Sequence, residues 1–265
     1  MRYALKVEYS GAAYSGWQSQ NNSDTVQQVL QRALRQVLDH DVKVYGSGRT
    51  DRGVHAKGQV CHFNTPRRLK TGSFPMGVNL HLPPDISVTA CAAVADGFDA
   101  RYDAQKKTYE YKAYFSSYRH PLSDADHAQY YKMPDVTKMR RAAQDLVGKH
   151  DFRCFMASGA SVKSTVREIY RLDIFENGNE LRWEVEGSAF LYHMVRILVG
   201  TLLDVGYGKI AADAMPSLLQ AGDRKRCGKT APARGLCLKQ VMYSEDLFAE
   251  HRGSVTQPHR TNEEF

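Results

Sequence analysis

The alternation of apolar and polar residues restricts the fold of this chain more than any other feature, because one order of elements, βαββαβ, occurs twice. Tyr3 to Tyr9 alternates from the third residue onward and predicts a strand at the start, with no signal peptide before it. After a polar, glycine-bearing loop, Asp24 and Gln27 make a capping-box pattern. Val26, Val29, Leu30, Ala33, Leu34, Val37 and Leu38 then mark one face of a helix. Strands follow at Val42–Tyr45 and Gln59–Phe63, then a short helix within Gly72–Leu82 and a strand over Ile86–Val94, stopped upstream by Pro83-Pro84. The second round has a strand at Lys107–Phe115, a helix at Val136–Val147 closed by Gly148 and a strand at Val166–Phe175. An Asn177-Gly178 type I′ turn leads into a strand at Leu181–Val185; a helix capped by Ser188 runs to the region of Gly206, and Leu236–Tyr243 closes the round as a strand. Each round is a split βαβ arrangement, with antiparallel strands carrying helices on one face. The expected fold class is therefore α+β: two fused ferredoxin-like halves, mainly antiparallel, around a central cleft. The halves cover residues 1–102 and 103–250, and the polar tail at 251–265 is expected to be disordered.

The two middle strands of the first round are joined by Gly48-Arg49-Thr50-Asp51-Arg52-Gly53-Val54-His55-Ala56. Asp51 and Gly53 would suit a plain turn. A two-residue hairpin, however, needs neither Arg49, nor a second glycine at 48, nor His55, whereas a loop closely approached by a ligand uses all three kinds of residue. Phosphate-loop readings fail on counting. Gly46 and Gly48 begin a G-x-G-x-x-G pattern whose third position is Asp51, a carboxylate that would repel a pyrophosphate. Gly48 and Gly53 have P-loop spacing but are followed by Val54-His55, and the glycine before Gly228-Lys229-Thr230, Gly222, lies one residue too far away. A nucleotide cofactor is not expected.

Composition narrows the partners. The 36 Lys+Arg residues against 29 Asp+Glu give a net charge of +7 and favour an anionic partner such as nucleic acid. Taken singly, the basic runs Arg67-Arg68-Leu69-Lys70, Lys106-Lys107, Lys138 to Arg141 and Arg224-Lys225-Arg226 each read as a solvated face. The 5 cysteines are odd in number and contain no C-x-x-C pair, which suits reduced thiols in a cytosolic protein. The 10 histidines include no H-E-x-x-H, so no catalytic metal is expected. The longest apolar stretch, Met194 to Leu203, contains Arg196 and is too short to span a bilayer.

Phe190 to Val205 reads as a helix apolar nearly all round, with Arg196 in its middle. A guanidinium there needs an anionic partner from elsewhere, which a structural ion pair anywhere in the core would supply. His193, one turn earlier, reads as a satisfied core histidine, with substrate contact as the other reading. Tyr109 shares a strand face with Tyr111, Ala113 and Phe115, a core pattern, yet its place at the strand's start would let the ring project past the sheet as a platform for an unstacked base.

The run Gly48 to Ala56 resembles the catalytic signature of TruA-type tRNA pseudouridine synthases, usually G-R-T-D-A-G-V-H-A, with Arg52 where that family prefers a small residue. The resemblance continues in order through Tyr14-Ser15-Gly16-Trp17-Gln18, Lys107-Thr108-Tyr109-Glu110-Tyr111, Phe190 to Gly200 and Thr230-Ala231-Pro232-Ala233-Arg234-Gly235-Leu236. It implies a cytoplasmic homodimer that isomerises uridine to pseudouridine at positions 38, 39 and 40 in the anticodon arm of tRNA, without cofactor. It also implies Asp51 as the nucleophile, Arg196 as its partner, Tyr109 against the target base, and Arg49 in the space of the flipped base or on a neighbouring phosphate. Attack at C1′, attack at C6 and removal of a sugar proton all stay open as the role of Asp51. Two other classes compete. A non-catalytic RNA-binding module on a ferredoxin-like scaffold would also be basic and aromatic, but no stretch fits the RNP1 pattern and such a module has no need of Asp51. A phosphate-dependent enzyme is disfavoured by the failed glycine counts.

Overall fold

A computed structural model describes residues 1–21, 23–159 and 162–249; the tail expected to be disordered lies outside the described residues. The elements run β1 (Arg2–Tyr9), α1 (Val26–Leu38), β2 (Tyr45–Gly46), β3 (His55–Asn64), α2 (Phe74–Asn79) and β4 (Ile86–Val94). They continue with β5 (Lys106–Phe115), β6 (Ala128–Tyr130), α3 (Val136–Gln144), β7 (Gly148–Asp151), β8 (Val166–Asn177), β9 (Glu180–Gly187), α4 (Met194–Gly206), α5 (Met215–Ala221) and β10 (Leu236–Met242). All the strands join one 10-stranded sheet in the order β4-β1-β3-β10-β5-β9-β8-β7, with β2 beside β3 and β6 beside β5. Both rounds thus have the ferredoxin-like arrangement, β4-β1-β3-β2 in the first and β10-β5-β9-β8 in the second. They are fused edge to edge where β10 runs parallel to β3 through Cys237↔His55 and Leu238↔Ala56.

Several local features depart from the sequence pattern. The capping box is not formed: Thr25 is the N-cap of α1 and Asp24 lies out on the surface facing Arg32 at 3.5 Å. Gln27 instead ties the preceding loop down, accepting from the Ser19 amide at 2.8 Å and donating to the Val44 carbonyl at 2.7 Å. Of the expected Val42–Tyr45 strand only Tyr45 pairs with β3, together with Gly46 just beyond it. The β8–β9 turn is centred on Gly178-Asn179, with Gly178 at φ 59° and Asn179 not among the positive-φ residues, so it is not type I′. Ser188 does not cap a helix, because it stays beside the sheet, its amide donating to the Glu168 carbonyl at 2.9 Å. Helix α4 begins only at Met194, which puts Arg196 in its first turn rather than its middle.

Period-two alternation gives the sheet two unlike faces. Tyr111, Leu181, Trp183 and Val185 face the helices, the rings of Tyr111 and Trp183 meeting edge-on at 5.8 Å. Glu110, Lys112, Arg182 and Glu184 lie between them in sequence and face the opposite way. There Glu110 pairs with Arg182 at 3.5 Å and Lys112 at 3.7 Å, and Glu184 pairs with Arg182 at 3.0 Å and with Lys239. On the helix side, α4 packs on β5 beside α3, which covers β8, and the segment before β10 crosses over it, which is why it can be apolar on nearly every side.

The segment before β10 crosses α4 backbone to backbone. A Cβ on Gly200 would lie 1.7 Å from the Lys229 carbonyl oxygen, and one on Gly228 would lie 2.5 Å from the Gly200 carbonyl oxygen. Thr201 locks the crossing: its hydroxyl donates to the Ile197 carbonyl at 2.8 Å and accepts from the Gly228 amide at 2.9 Å. Gly200→Ala therefore forces two backbones apart, an overpacking that costs about 3 kcal/mol. The expected result is a clear fall in the thermal midpoint, and an unchanged midpoint would show that the crossing has slack.

Candidate active site

The loop carrying Asp51 is braced from behind at nearly every residue. The Ser47 hydroxyl donates to Gln59 at 2.7 Å, and the Gln59 amide returns a bond to the Gly48 carbonyl at 3.0 Å, all three groups sitting at the base of the loop. Thr50 shares a buried 2.7 Å hydrogen bond with the Tyr9 hydroxyl, and its carbonyl accepts from the Trp17 amide at 3.1 Å. Gly16, at φ 92°, lets that segment approach, since a Cβ there would lie 2.6 Å from the Thr50 carbonyl oxygen. The Gly53 amide donates to the Tyr14 carbonyl at 3.4 Å, and Gly53 takes a φ of 77°. Tyr14 and Trp17 are both buried. The Tyr14–Gln18 segment therefore acts as the floor of the loop. His55, the loop's histidine, is buried at the start of β3, where Nδ1 accepts from the Gly11 amide at 3.2 Å; burial holds its pKa below the ordinary imidazole value.

From this base the Asp51 side chain reaches the first turn of α4 in the other half of the fold. Its Oδ2 lies 3.3 Å from Arg196 Nη1 and 3.4 Å from His193 Nε2, with the Asp51 and Arg196 side chains 20% and 14% exposed. The helix dipole favours negative charge at this end of α4. Arg196 is held in turn by the chain before β10: Nε donates to the Ala231 carbonyl at 2.7 Å, while the Ala231 amide donates to the Arg196 carbonyl at 3.0 Å. Asp51 Oδ1 has no protein partner among the described residues.

His193 is the residue the sequence undervalued. It is not a core histidine: its side chain is 21% exposed, and it is the N-cap of α4 at φ 59°, a left-handed conformation uncommon for a side chain of this size. Burial lowers its pKa, the nearby Asp51 charge opposes that, and Arg196 reinforces it. Its position three residues before Arg196 was the available signal.

Tyr109 faces the helices, as its strand pattern requires. Rather than projecting past the sheet, the ring is 9% exposed and meets Phe190 edge-on at 5.1 Å. Burial and the Asp51 charge push its phenol well above the ordinary tyrosine range, so it stays protonated. Among the described residues its hydroxyl makes no hydrogen bond. Arg49 and Arg52 are exposed on the loop, without an ion pair among the described residues. The structure thus gathers Asp51, Arg196, His193 and Tyr109, and leaves Arg49 at the solvent edge.

The model of the tRNA pseudouridine synthase family matches residues 6–103 and 142–244. A "tRNA pseudouridine synthase A" of Citrifermentans bemidjiense is 45% identical over 242 residues, covering 91% of this chain and 97% of the relative. One of Syntrophotalea carbinolica is 45% identical over 240 residues, covering 91% and 95%. This chain belongs to the tRNA pseudouridine synthase A family. Arg49, Asp51 and Arg196 fall within the spans matched by the family model, and Tyr109 falls between them. Among solved structures, a Cbf5-Nop10-Gar1 complex covers 76% of this chain and 54% of its own at TM-score 0.34 and 12% identity, too distant to argue from.

Arg196→Met keeps the bulk of the side chain but removes one charge-assisted bond to Asp51 and one bond to Ala231. For a pair that is partly solvated, the expected loss is about 2–3 kcal/mol. It should be read as a lower denaturant midpoint at unchanged slope. Adding Asp51→Asn to Arg196→Met should cost less than Asp51→Asn costs alone; strict additivity would mean that the two side chains are not coupled.

Proposed function

We propose that this tRNA pseudouridine synthase, an isomerase, acts on uridines 38, 39 and 40 of the anticodon arm with Asp51 as its nucleophile. In this reading the half over residues 1–102 supplies Arg49 and Asp51, and the half over residues 103–250 supplies Tyr109 and Arg196. The observation that carries it is the single carboxylate of a braced loop, engaged at one oxygen by Arg196 and His193 and unengaged at the other among the described residues, on the sheet face that also bears Tyr109. The reaction breaks the N1–C1′ bond, turns the uracil while it stays enclosed, forms C5–C1′, passes the C5 proton to an acceptor and leaves N1 protonated from solvent. Atoms and charge balance without an oxidant or reductant, so the groups required are a nucleophile, a surface for the base and a proton acceptor. Asp51 supplies the first. Tyr109 and Phe190 supply the second, with the Tyr109 phenol, kept protonated by its surroundings, over the base. Arg49 is free to fill the space the base leaves or to hold a neighbouring phosphate.

The test is release of tritium from tRNA labelled at uridine C5, which binding alone cannot produce. Asp51→Asn should lower release by about 10³-fold or more, while tRNA affinity is equal or higher because a negative charge is removed beside an anionic ligand. Near-normal release by this variant ends the proposal of Asp51 as nucleophile.

We also propose a cytoplasmic homodimer in which both chains contact one tRNA, as the family likeness suggests. A reducing compartment suits the 5 free cysteines, and among the described residues no helix is long and apolar enough to cross a membrane. Analytical ultracentrifugation at micromolar concentration should give twice the chain mass of 29.9 kDa. A fully active species sedimenting as a monomer would rule the dimer out.

A further inference from the structure

Lys107 is a cation that the fold has placed with care and left unneutralised. It stands on β5 two residues before Tyr109, so both side chains lie on the helix-bearing face of the sheet. Its Nζ donates to the Ser47 carbonyl at 2.6 Å, and it lies so close under the loop that a Cβ on Gly48 would come within 3.2 Å of it. That one bond uses one of the three N–H donors of an ammonium. No carboxylate pairs with Lys107 among the described residues, in contrast with Lys106, Lys112 and Lys239, which face Glu186, Asp126 and Glu184. The charged neighbour that does act on it is Arg101, a second cation. Arg49, exposed and without an ion pair among the described residues, is the next residue of the loop after Gly48. A partly buried ammonium with spare donors, glycine on one side and cations around it, is short of an anion.

Resting on the reading of the site as one for tRNA, we infer that Lys107 and the Gly48-Arg49 backbone form a subsite for one backbone phosphate next to the target uridine. Nothing else proposed for this site uses Lys107. The phosphate would lie on the Arg49 side of Tyr109, accept from the spare N–H groups of Lys107 and bring the negative charge that the protein itself does not provide. Electrostatics point the same way, since burial and Arg101 lower the Lys107 pKa to about 8, an effect that a bound phosphate reverses. Glycine at 48 is required for the same reason as glycine in other phosphate cradles: a side chain there would stand between backbone and ligand.

The experiment measures binding of an unmodified tRNA transcript at 50 to 200 mM salt by fluorescence anisotropy, with tritium release from the same tRNA in parallel. Lys107→Met should weaken binding about tenfold and reduce the slope of log affinity against log salt by about 0.7–0.9, the contribution of one phosphate. Lys107→Gln keeps a donor for Ser47 but lacks the charge, so it should lose the same slope; Lys107→Arg should retain it. Loss of activity should fall on KM more than on kcat. A single neutral methylphosphonate beside the target uridine should weaken the wild type and leave Lys107→Met unaffected. If the two neutral variants keep the wild-type slope, or lose kcat alone, Lys107 is only a brace for the loop and the subsite is wrong. If the wild type binds tRNA but releases no tritium, it is the functional reading that falls, while the slope still judges Lys107. Should Lys107→Met fail to fold, Lys107→Gln carries the same comparison.

Discussion

The contact between Asp51 and Arg196 is the interaction around which the rest of the molecule is arranged. The two residues are 145 positions apart and belong to different rounds of the βαββαβ order, so they meet only if both rounds are docked correctly. Three features secure that docking. The parallel pairing of β3 with β10 fuses the two sheets just after the Asp51 loop; the close crossing of Gly200 and Gly228 sets the height of α4; and Ala231 holds Arg196 by both backbone and side chain. Each acts within a few residues of the pair. A long-range ion pair that is only partly shielded from water contributes little to stability by itself. Its geometry is therefore a product of the packing, and the stability that fixes it comes from the buried tyrosines, tryptophans and leucines of the shared core.

The loop and its partner are held by different means, which suits their tasks. The loop is held by hydrogen bonds from buried polar side chains, Ser47, Gln59 and Tyr9 with Thr50, each costly to bury unless paired and each paired here. Such bonds are directional and fix the carboxylate within a narrow range of positions. Arg196 rides instead on an apolar helix packed on all sides, where shape sets position. A nucleophile presented this way needs little reorganisation during a reaction, and this is how a fold with no cofactor lowers a barrier.

Much of this was legible in the sequence, for physical reasons that differ from element to element. Alternation found β1, β4 and β5 with ends within a residue, because a sheet with one polar and one apolar face imposes that pattern directly. The Asp51 loop was legible because glycine, arginine and aspartate are poor choices for a simple turn. The N-terminus of α4 was not legible. The apolar run is continuous through Phe190 and Leu191, and nothing in the pattern reveals that Ser188 stays with the sheet or that His193 takes a left-handed turn. That error moved Arg196 into mid-helix and made His193 look like a core residue. The strands β6 and β7 were missed because three or four residues are too few to show a period. The capping box failed because Gln27 found better partners in the loop that must be tied over Trp17.

Charge shows the same division between scaffold and site. A net charge of +7 says only that the surface attracts anions, and leaves open where. On the face away from the helices Glu110 and Glu184, joined by Asp126 beside Lys112 and Asp173 beside Arg171, pair with Arg171, Arg182, Lys112 and Lys239, so each of these cations has a carboxylate partner and together they act as a solvated lattice on the sheet. Around the Asp51 loop Arg49, Arg52, Arg101 and Lys107 have no such partners among the described residues. Part of the excess positive charge therefore stands at the rim of this loop. The one carboxylate that the loop does carry is already claimed by Arg196. An approaching polyanion is therefore drawn to the rim of the loop by the unpaired cations and is repelled little by Asp51, whose charge is offset from behind. Separating the groups that attract from the group that reacts lets one small loop serve both purposes.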